Sequence, residues 1–416
     1  MEKSSPQLDS NSIKNILTLR YNPTKNSLIP KKTWKDFVEK PVLNPVDFVE
    51  DSIKSNIEHS IKNPKTKIAV ALSSGVDSTL VLALLKKTYP TIPISAISVK
   101  FAESIDESKY AAKIAQKFDA DHHILYIENY LAELPAAINI IKQPFWDLHW
   151  YYIVKKAKTL SKFLVSGDSG DELFGGYTFR YDKFLSLTTK NSSPLAKVKA
   201  YMQCHERYWV PDQQDLFGKK VHFSWKEIHN RLLPYFDNSL HPLSQVFLAD
   251  FNGKLIYNWI PLNTAFHRHF RVKSITPILS RNMISFTTHV PIHLKYDQKR
   301  NVDKLILRQI LQKYSLEKML INKKQGFSVN TIHLWKSHGY DLCDYYLSAA
   351  RTIQDKWISK DWIQKHFRKN DLDIRYVNKF LGILALEVWY RLFVTKEIKS
   401  TTILFLFSSY LLSIFS

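Results

Sequence analysis

The chain has 416 residues, 45% hydrophobic and 13% aromatic, which makes it globular and large enough for one big domain or two coupled ones. Its formal net charge of +21 admits ATP, pyrophosphate, nucleic acid or an anionic membrane as partners, but no basic low-complexity arm concentrates that charge, so general surface charge accounts for it. Cys204 and Cys343, far apart and without metal-ligand spacing, exclude a disulfide framework and a zinc site, and a reducing, cytoplasmic setting fits.

Residues 1–45 read as a short, polar, proline-punctuated N-terminal extension with a β-like piece at Ile16, Leu17, Thr18 and Leu19, and the opening MEKSSPQLDSNS has no apolar signal-peptide core. Phe48, Val49, Ile53, Ile57 and Ile61 then recur at helical spacing, which predicts an amphipathic helix packed under a strand at Ile68. Residues 67–78, KIAVALSSGVDS, predict that strand, a tight turn and a helix N-terminus. The turn, Ser73-Ser74-Gly75-Val76-Asp77-Ser78, points backbone N–H groups and the positive end of a helix dipole at one spot, and its small side chains let a phosphate approach. Ser73 and Ser78 can add hydroxyl donors. Asp77 makes sense at a phosphate site if a divalent cation sits between them.

The pattern then repeats in βα units: a strand over residues 94–101, a helix over 106–118 and a third strand over 123–127. This alternation predicts an α/β fold, an open and mainly parallel sheet with flanking helices that binds ligands at the strand C-terminal ends. His122 and His123 alternate faces on a strand, which assigns them a structural role. Helices are predicted over 131–141 and 150–160, separated by Pro144-Phe145-Trp146-Asp147. From Lys162 the chain reads KFLVSGDSGDELFGGY, a short apolar strand running into a Gly-rich loop that crowds Asp168, Asp171 and Glu172 together. Like charges this close are costly unless a cation or a reaction uses them.

With both loops in view, SSGVDS resembles the pyrophosphate-loop signature SGGxDS, and SGDSGDELFGGY resembles the second signature of the asparagine synthetase family. The resemblance implies a synthetase domain with an adenine nucleotide alpha hydrolase-like, Rossmann-like core. It implies Mg²⁺ held by Asp77 and Asp171 against the phosphates of ATP, Gly167 near the α-phosphate, and Asp168 at the acidic position near the activated carboxylate. Val99 and Lys100 would lie near the adenine. Further on, DKLILRQIL from Asp303 and INKKQGFSVNTIHLW from Ile321 are similar to the family's KxxLR and KKxGF segments, and Lys324 matches the lysine that steadies the departing pyrophosphate. VNKFLGILALEVWYRLFV, from Val377, resembles the family's closing helix.

The expected organisation is an extension over 1–45, a nucleotide-binding core over 46–180, a mainly helical part over 181–395 and an apolar tail over 396–416. Tyr201, Tyr208, Trp209 and Phe217 are expected in an all-helical lobe as core packing, which disfavours nucleic acid as a partner. Residues 403–415, ILFLFSSYLLSIF, fall short of the roughly 20 needed to span a bilayer and are a candidate peripheral anchor or a helix lying on the helical lobe. Family members that hydrolyse glutamine carry a glutaminase domain opening on a cysteine after the initiator methionine. Glu2 stands there here and about 45 residues cannot form that domain, so nitrogen is expected as ammonia, as another amine, or from a separate glutaminase.

The match departs from the family at several positions. Ser74 and Ser169 stand where glycine is usual, which serine tolerates if φ stays negative. KSITPILS replaces an ExRxPFLD string, with Lys273, Ile275 and Ser280 in place of an acid, a base and an acid, and Thr264 and Ala265 replace an Asp-Arg pair. The implied activity is AMP-forming amide ligation, with aspartate as the family default. The alternatives are a ligase for another carboxylate, a non-catalytic nucleotide-binding partner of a synthetase, and a pyrophosphate-loop enzyme that modifies tRNA.

Overall fold

The computed structural model describes residues 6–63, 65–102, 106, 108–205, 209–320 and 329–404. Five strands, β1 (Ile68–Ala71), β2 (Ile94–Phe101), β3 (Asp121–Ile127), β4 (Phe163–Val165) and β5 (Lys273–Ile275), form one parallel sheet in the order β3-β2-β1-β4-β5. Register pairs Ile68 with Ile94, Ala69 with Leu164 and Phe163 with Lys273. β1 is buried along its whole length, as a central parallel strand covered on both faces must be. The period-2 rule divides it: Ile68 and Val70 join one hydrophobic core and Ala69 and Ala71 the other.

Two layers of helices cover the sheet. α1 (Ser10–Leu19), α2 (Pro45–Ser60), α3 (Val76–Thr88), α4 (Ser108–Lys117), α5 (Leu134–Ile141) and α6 (His149–Ala157) lie around the first four strands. On one face, Ile53 and Ile57 of α2 pack with Leu80, Val81 and Leu84 of α3. On the other, Ala137 and Ile138 of α5 pack with Ile153 and Val154 of α6 and the long helix Ile374–Phe393.

Ile16 to Leu19 end a helix and do not form the β-like piece expected. Asp9 caps α1 by accepting from the Ser12 N–H at 2.6 Å, and the helix is buried on all sides from Ser12 to Leu19, with Ile13, Ile16 and Leu17 in one hydrophobic core. A short apolar run suits helix or strand equally, and tertiary packing decides.

After β4 come α7 (Gly170–Phe174), α8 (Thr178–Leu187), α9 (Pro194–Cys204), α10 (Trp225–Phe236), α11 (Pro242–Asp250), α12 (Ile260–Phe270), α13 (Arg281–His289) and α14 (Leu305–Lys313). Tyr181, Val198 and Phe236 from these helices share the core that holds Ile68 and Leu80. Tyr201 is a core residue, as expected, and its hydroxyl donates to Asp250 at 2.8 Å beside the buried Arg180–Asp250 ion pair. His122 lies 2.9 Å from the Ser98 hydroxyl. No helix of the described residues is long and apolar enough to cross a membrane.

β2 and β4 flank β1 on opposite sides, so the chain leaves β1 and β4 in opposite directions and opens a crevice at their C-terminal ends. Both loops singled out in the sequence start there.

Candidate active site

The first wall of this crevice is the turn from β1 into α3. Gly75 caps α3 with φ −88° and ψ 164°, extended backbone that any residue adopts, so conformation alone does not demand glycine there. The Ser78 hydroxyl accepts from the Ser73 N–H at 3.1 Å and lies 3.0 Å from the Ser73 hydroxyl, which accepts from the Gly75 N–H at 3.1 Å. Both hydroxyls therefore shape the turn, and a bound anion would share them. Asp77 sits in the first turn of α3, at the positive end of the helix dipole.

The second wall is the acidic loop after β4. A side chain at Gly167 would put its Cβ 2.5 Å from the Asp77 carbonyl carbon, and one at Gly170 would enter the Asp77 carboxylate. These glycines let the two loops touch. Between them Ser169 adopts φ 72°, the left-handed region, so the condition under which serine replaces glycine freely, a negative φ, is not met. The chain must reverse from β4 into the five-residue helix α7 while packed on Asp77, and that demand overrides the local preference of serine. The Ser169 hydroxyl is buried without a hydrogen-bond partner among the described residues.

Asp77 and Asp171 converge on Lys304, the residue before α14. Its ammonium donates to Asp77 Oδ2 and lies 2.6 Å from Asp171 Oδ1, and its side chain is 1% exposed. Burial pulls the Lys304 pKa down, but the charges of Asp171 and Asp77 outweigh it and push it up. Asp168 behaves oppositely. Burial pushes its carboxyl up to about 8; a hydrogen bond from Ser166 works against the rise, and the charges of Glu172, Asp77 and Asp171 add to it. Asp168 Oδ2 is buried and has no hydrogen-bond partner among the described residues.

These walls enclose a cavity of about 320 Å³. Its far side comes from Phe251–Trp259, a widened helical segment with π-type hydrogen bonding that carries Lys254, Asn258 and Trp259 to the cavity. Lys254 donates to the Tyr177 hydroxyl, lies 3.6 Å from Glu172 Oε1 and stands 4.0 Å over the Tyr177 ring. Arg20 and Asp147 complete that side. Among the described residues no group of three or more His, Cys, Asp or Glu side chains is gathered to hold a metal. Two convergent carboxylates do suit Mg²⁺, which takes one or two carboxylates and draws its other ligands from phosphate and water. A second cavity of about 430 Å³ shares Trp259 and is lined by Thr264, Ser274, Thr276, Ser280 and Asn263, all uncharged. Burial keeps His267, on the same lining, below its ordinary pKa.

The family model for asparagine synthase matches residues 53–391. The chain belongs to the asparagine synthase family. It is similar to the glutamine-hydrolyzing asparagine synthetase 1 of Bacillus subtilis, 22% identical over 405 residues, covering 88% of this chain and 63% of that protein. A putative glutamine-hydrolyzing asparagine synthetase of Mycobacterium tuberculosis is 29% identical over 160 residues, covering 36% of this chain and 24% of that one. Another, from Methanocaldococcus jannaschii, is 27% identical over 146 residues, covering 33% and 28%. The chain spans less than two thirds of the length of each of these relatives.

Of the residues assigned from asparagine synthase resemblance, Ser73, Asp77, Ser78, Gly167, Asp168 and Asp171 line the one cavity. Ser74, Gly75 and Val76 are buried in the same turn. Val99 sits half-buried on β2 and is not part of the lining. Lys324 lies outside the described residues, as do Tyr208 and residues 405–416 of the apolar tail. Lys304 is the central residue that sequence reading passed over, although the DKLILR match to the family's KxxLR segment already contained it. Arg20 and Lys254 carried no motif; packing alone brings them here.

Proposed function

We propose that this asparagine synthase family chain is an ATP-dependent, AMP-forming amide ligase. The substrate carboxylate attacks the α-phosphorus of ATP, pyrophosphate leaves, and ammonia or an amine attacks the activated acyl carbon and expels AMP. One observation carries the reading: the β1 and β4 loops meet in a single cavity lined by Asp77, Asp171 and Asp168, with the buried Lys304, outside that lining, paired to Asp77 and Asp171.

Each residue then has a task. The N–H groups at the start of α3 bind phosphate oxygens. Asp77 and Asp171 would hold Mg²⁺, whose charge, when bound, neutralises the phosphates. Lys304 offsets the same anionic charge from the protein side. In the ligand-free protein burial keeps the Asp168 proton on up to about pH 8, so at neutral pH it can donate a hydrogen bond to an incoming substrate carboxylate where an ionised carboxylate would repel it. Lys324 is assigned from the resemblance alone, to steady the departing pyrophosphate.

Aspartate is the proposed carboxylate. A ligase for a different carboxylate is the second reading, favoured by the cavity beyond Trp259, where Thr264 and Ser280 leave an uncharged lining. The test is pyrophosphate release from Mg-ATP with aspartate plus ammonium, with glutamine in place of ammonium, and with a panel of other carboxylates. Release requiring aspartate and ammonium, with asparagine formed, supports the first reading. Release only with another carboxylate supports the second, and none with any carboxylate refutes ligation.

A further inference from the structure

Arg20 is held more firmly than a surface arginine needs to be. It ends α1 in the left-handed region, φ 64° and ψ 13°, and its carbonyl accepts from Asn258 Nδ2 at 2.8 Å. Its guanidinium lies 4.4 Å over the Trp146 ring and pairs with Asp147 Oδ2. The pair is asymmetric: the Arg20 side chain is 11% exposed and that of Asp147 40%. Both partners line the active-site cavity and also a smaller one of about 90 Å³ on their other side.

Both charges persist at neutral pH. Burial pushes the Asp147 carboxyl up, but the charge of Arg20 and its hydrogen bond to Asp147 outweigh it, with Lys254 adding to them, and hold it below the usual carboxylate range. His149, beside them, is lowered by burial and so adds no further charge. A guanidinium is a rigid fork of five donors that matches a carboxylate, and an exposed carboxylate next to it matches an ammonium. A fixed pair of opposite charges on a cavity wall is complementary to a zwitterion.

We propose that Arg20 and Asp147 clamp the head of an α-amino acid, Arg20 binding its carboxylate and Asp147 its ammonium. The clamp deepens the ligase reading and rests on it only for which end of the substrate reacts: the side-chain carboxylate, reaching toward Asp168. The residues that set the substrate class therefore lie outside the Asp77–Asp171 centre, and Arg20 lies before the matched residues 53–391.

The experiment is calorimetric titration of the full chain, with Mg²⁺ and α,β-methylene-ATP present, against the standard α-amino acids. The best-bound one is then compared with its deamino and N-acetyl analogues, which lack the ammonium. The expected result is a loss of at least about tenfold for both analogues. Arg20→Gln weakens amino acid and deamino analogue alike by at least about tenfold, and Arg20→Lys, which keeps the charge, weakens them less. Asp147→Asn brings the amino acid to within about threefold of its deamino analogue, a change of preference that general loosening of the fold would not produce.

The clamp is overturned if no α-amino acid binds the wild-type chain, even when another carboxylate supports pyrophosphate release. It is also overturned if the analogues bind as well as the parent, a comparison on wild-type protein that needs no variant to fold, or if Asp147→Asn keeps the full preference. Binding with the expected discrimination but no pyrophosphate release would leave the clamp standing and refute ligation.

Discussion

Replacing Lys304 with methionine tests the electrostatic centre most directly. The side chain is 1% exposed and its ammonium serves both Asp77 and Asp171. Its removal leaves the largely buried Asp77 carboxylate and the partly exposed Asp171 carboxylate without their common counter-charge. Breaking a buried ion pair from one side costs about 3–5 kcal/mol. The loss is limited because two carboxylates sharing a site raise the pKa of one of them, which takes up a proton. The pH dependence follows from that proton. In the variant the folded state binds it over a range where the unfolded state has released it, so stability falls as pH rises through that range. In the wild type the Lys304 ammonium stands against both carboxylates and opposes that proton uptake. The deficit relative to wild type should grow by up to ~1.4 kcal/mol per pH unit until the raised pKa is passed. Urea unfolding followed by tryptophan fluorescence, between about pH 5 and pH 8, measures it. Asp171→Asn added to Lys304→Met should recover ~1–2 kcal/mol, whereas Asp171→Asn alone should destabilise. A deficit below about 1 kcal/mol that does not change with pH would refute the reasoning.

Three further outcomes are expected. Asp168→Asn should stabilise the ligand-free protein at pH 8 and change little at pH 4: the folded carboxyl keeps its proton to about 8 and the unfolded one to 3.8, so wild-type stability falls across that interval. The upper bound is ~6 kcal/mol, and relaxation and water entering the cavity should leave ~2–3 kcal/mol in denaturant unfolding at the two pH values. Ser169→Gly relieves a left-handed backbone worth ~1–2 kcal/mol and removes an unpartnered hydroxyl, against ~0.5–1 kcal/mol of added chain entropy. A net gain near 1 kcal/mol is expected in unfolding midpoints, and a loss of that size would contradict the backbone argument. Gly167→Ala forces a Cβ onto the Asp77 backbone, so about 1–3 kcal/mol of stability and the binding of an ATP analogue should be lost together; intact binding in a titration would refute the close-contact role.

The apolar run before SSGVDS and the one before GDSGDELFGG were legible as strands running into loops, because a buried parallel strand, a run of small residues and a following helix are all written in adjacent positions. The order of βα units likewise announced a parallel sheet. Ile16 to Leu19 were not legible, since three apolar residues and a threonine satisfy helix and strand alike until packing decides. The φ of Ser169 was not legible for the same kind of reason: it is set by what α7 packs against.

The sequence by itself determined four of the sheet's five strands, the two loops and the identities of the carboxylates on them, while β5 and the strand order came from the tertiary structure. Tertiary structure decided which cations those carboxylates meet. Lys304 is 227 positions from Asp77, and Arg20 is 127 positions from Asp147. Secondary structure follows from local spacing, whereas pairing between charges depends on distance and burial in space, where a low dielectric makes a neighbour remote in the chain the strongest influence on a side chain.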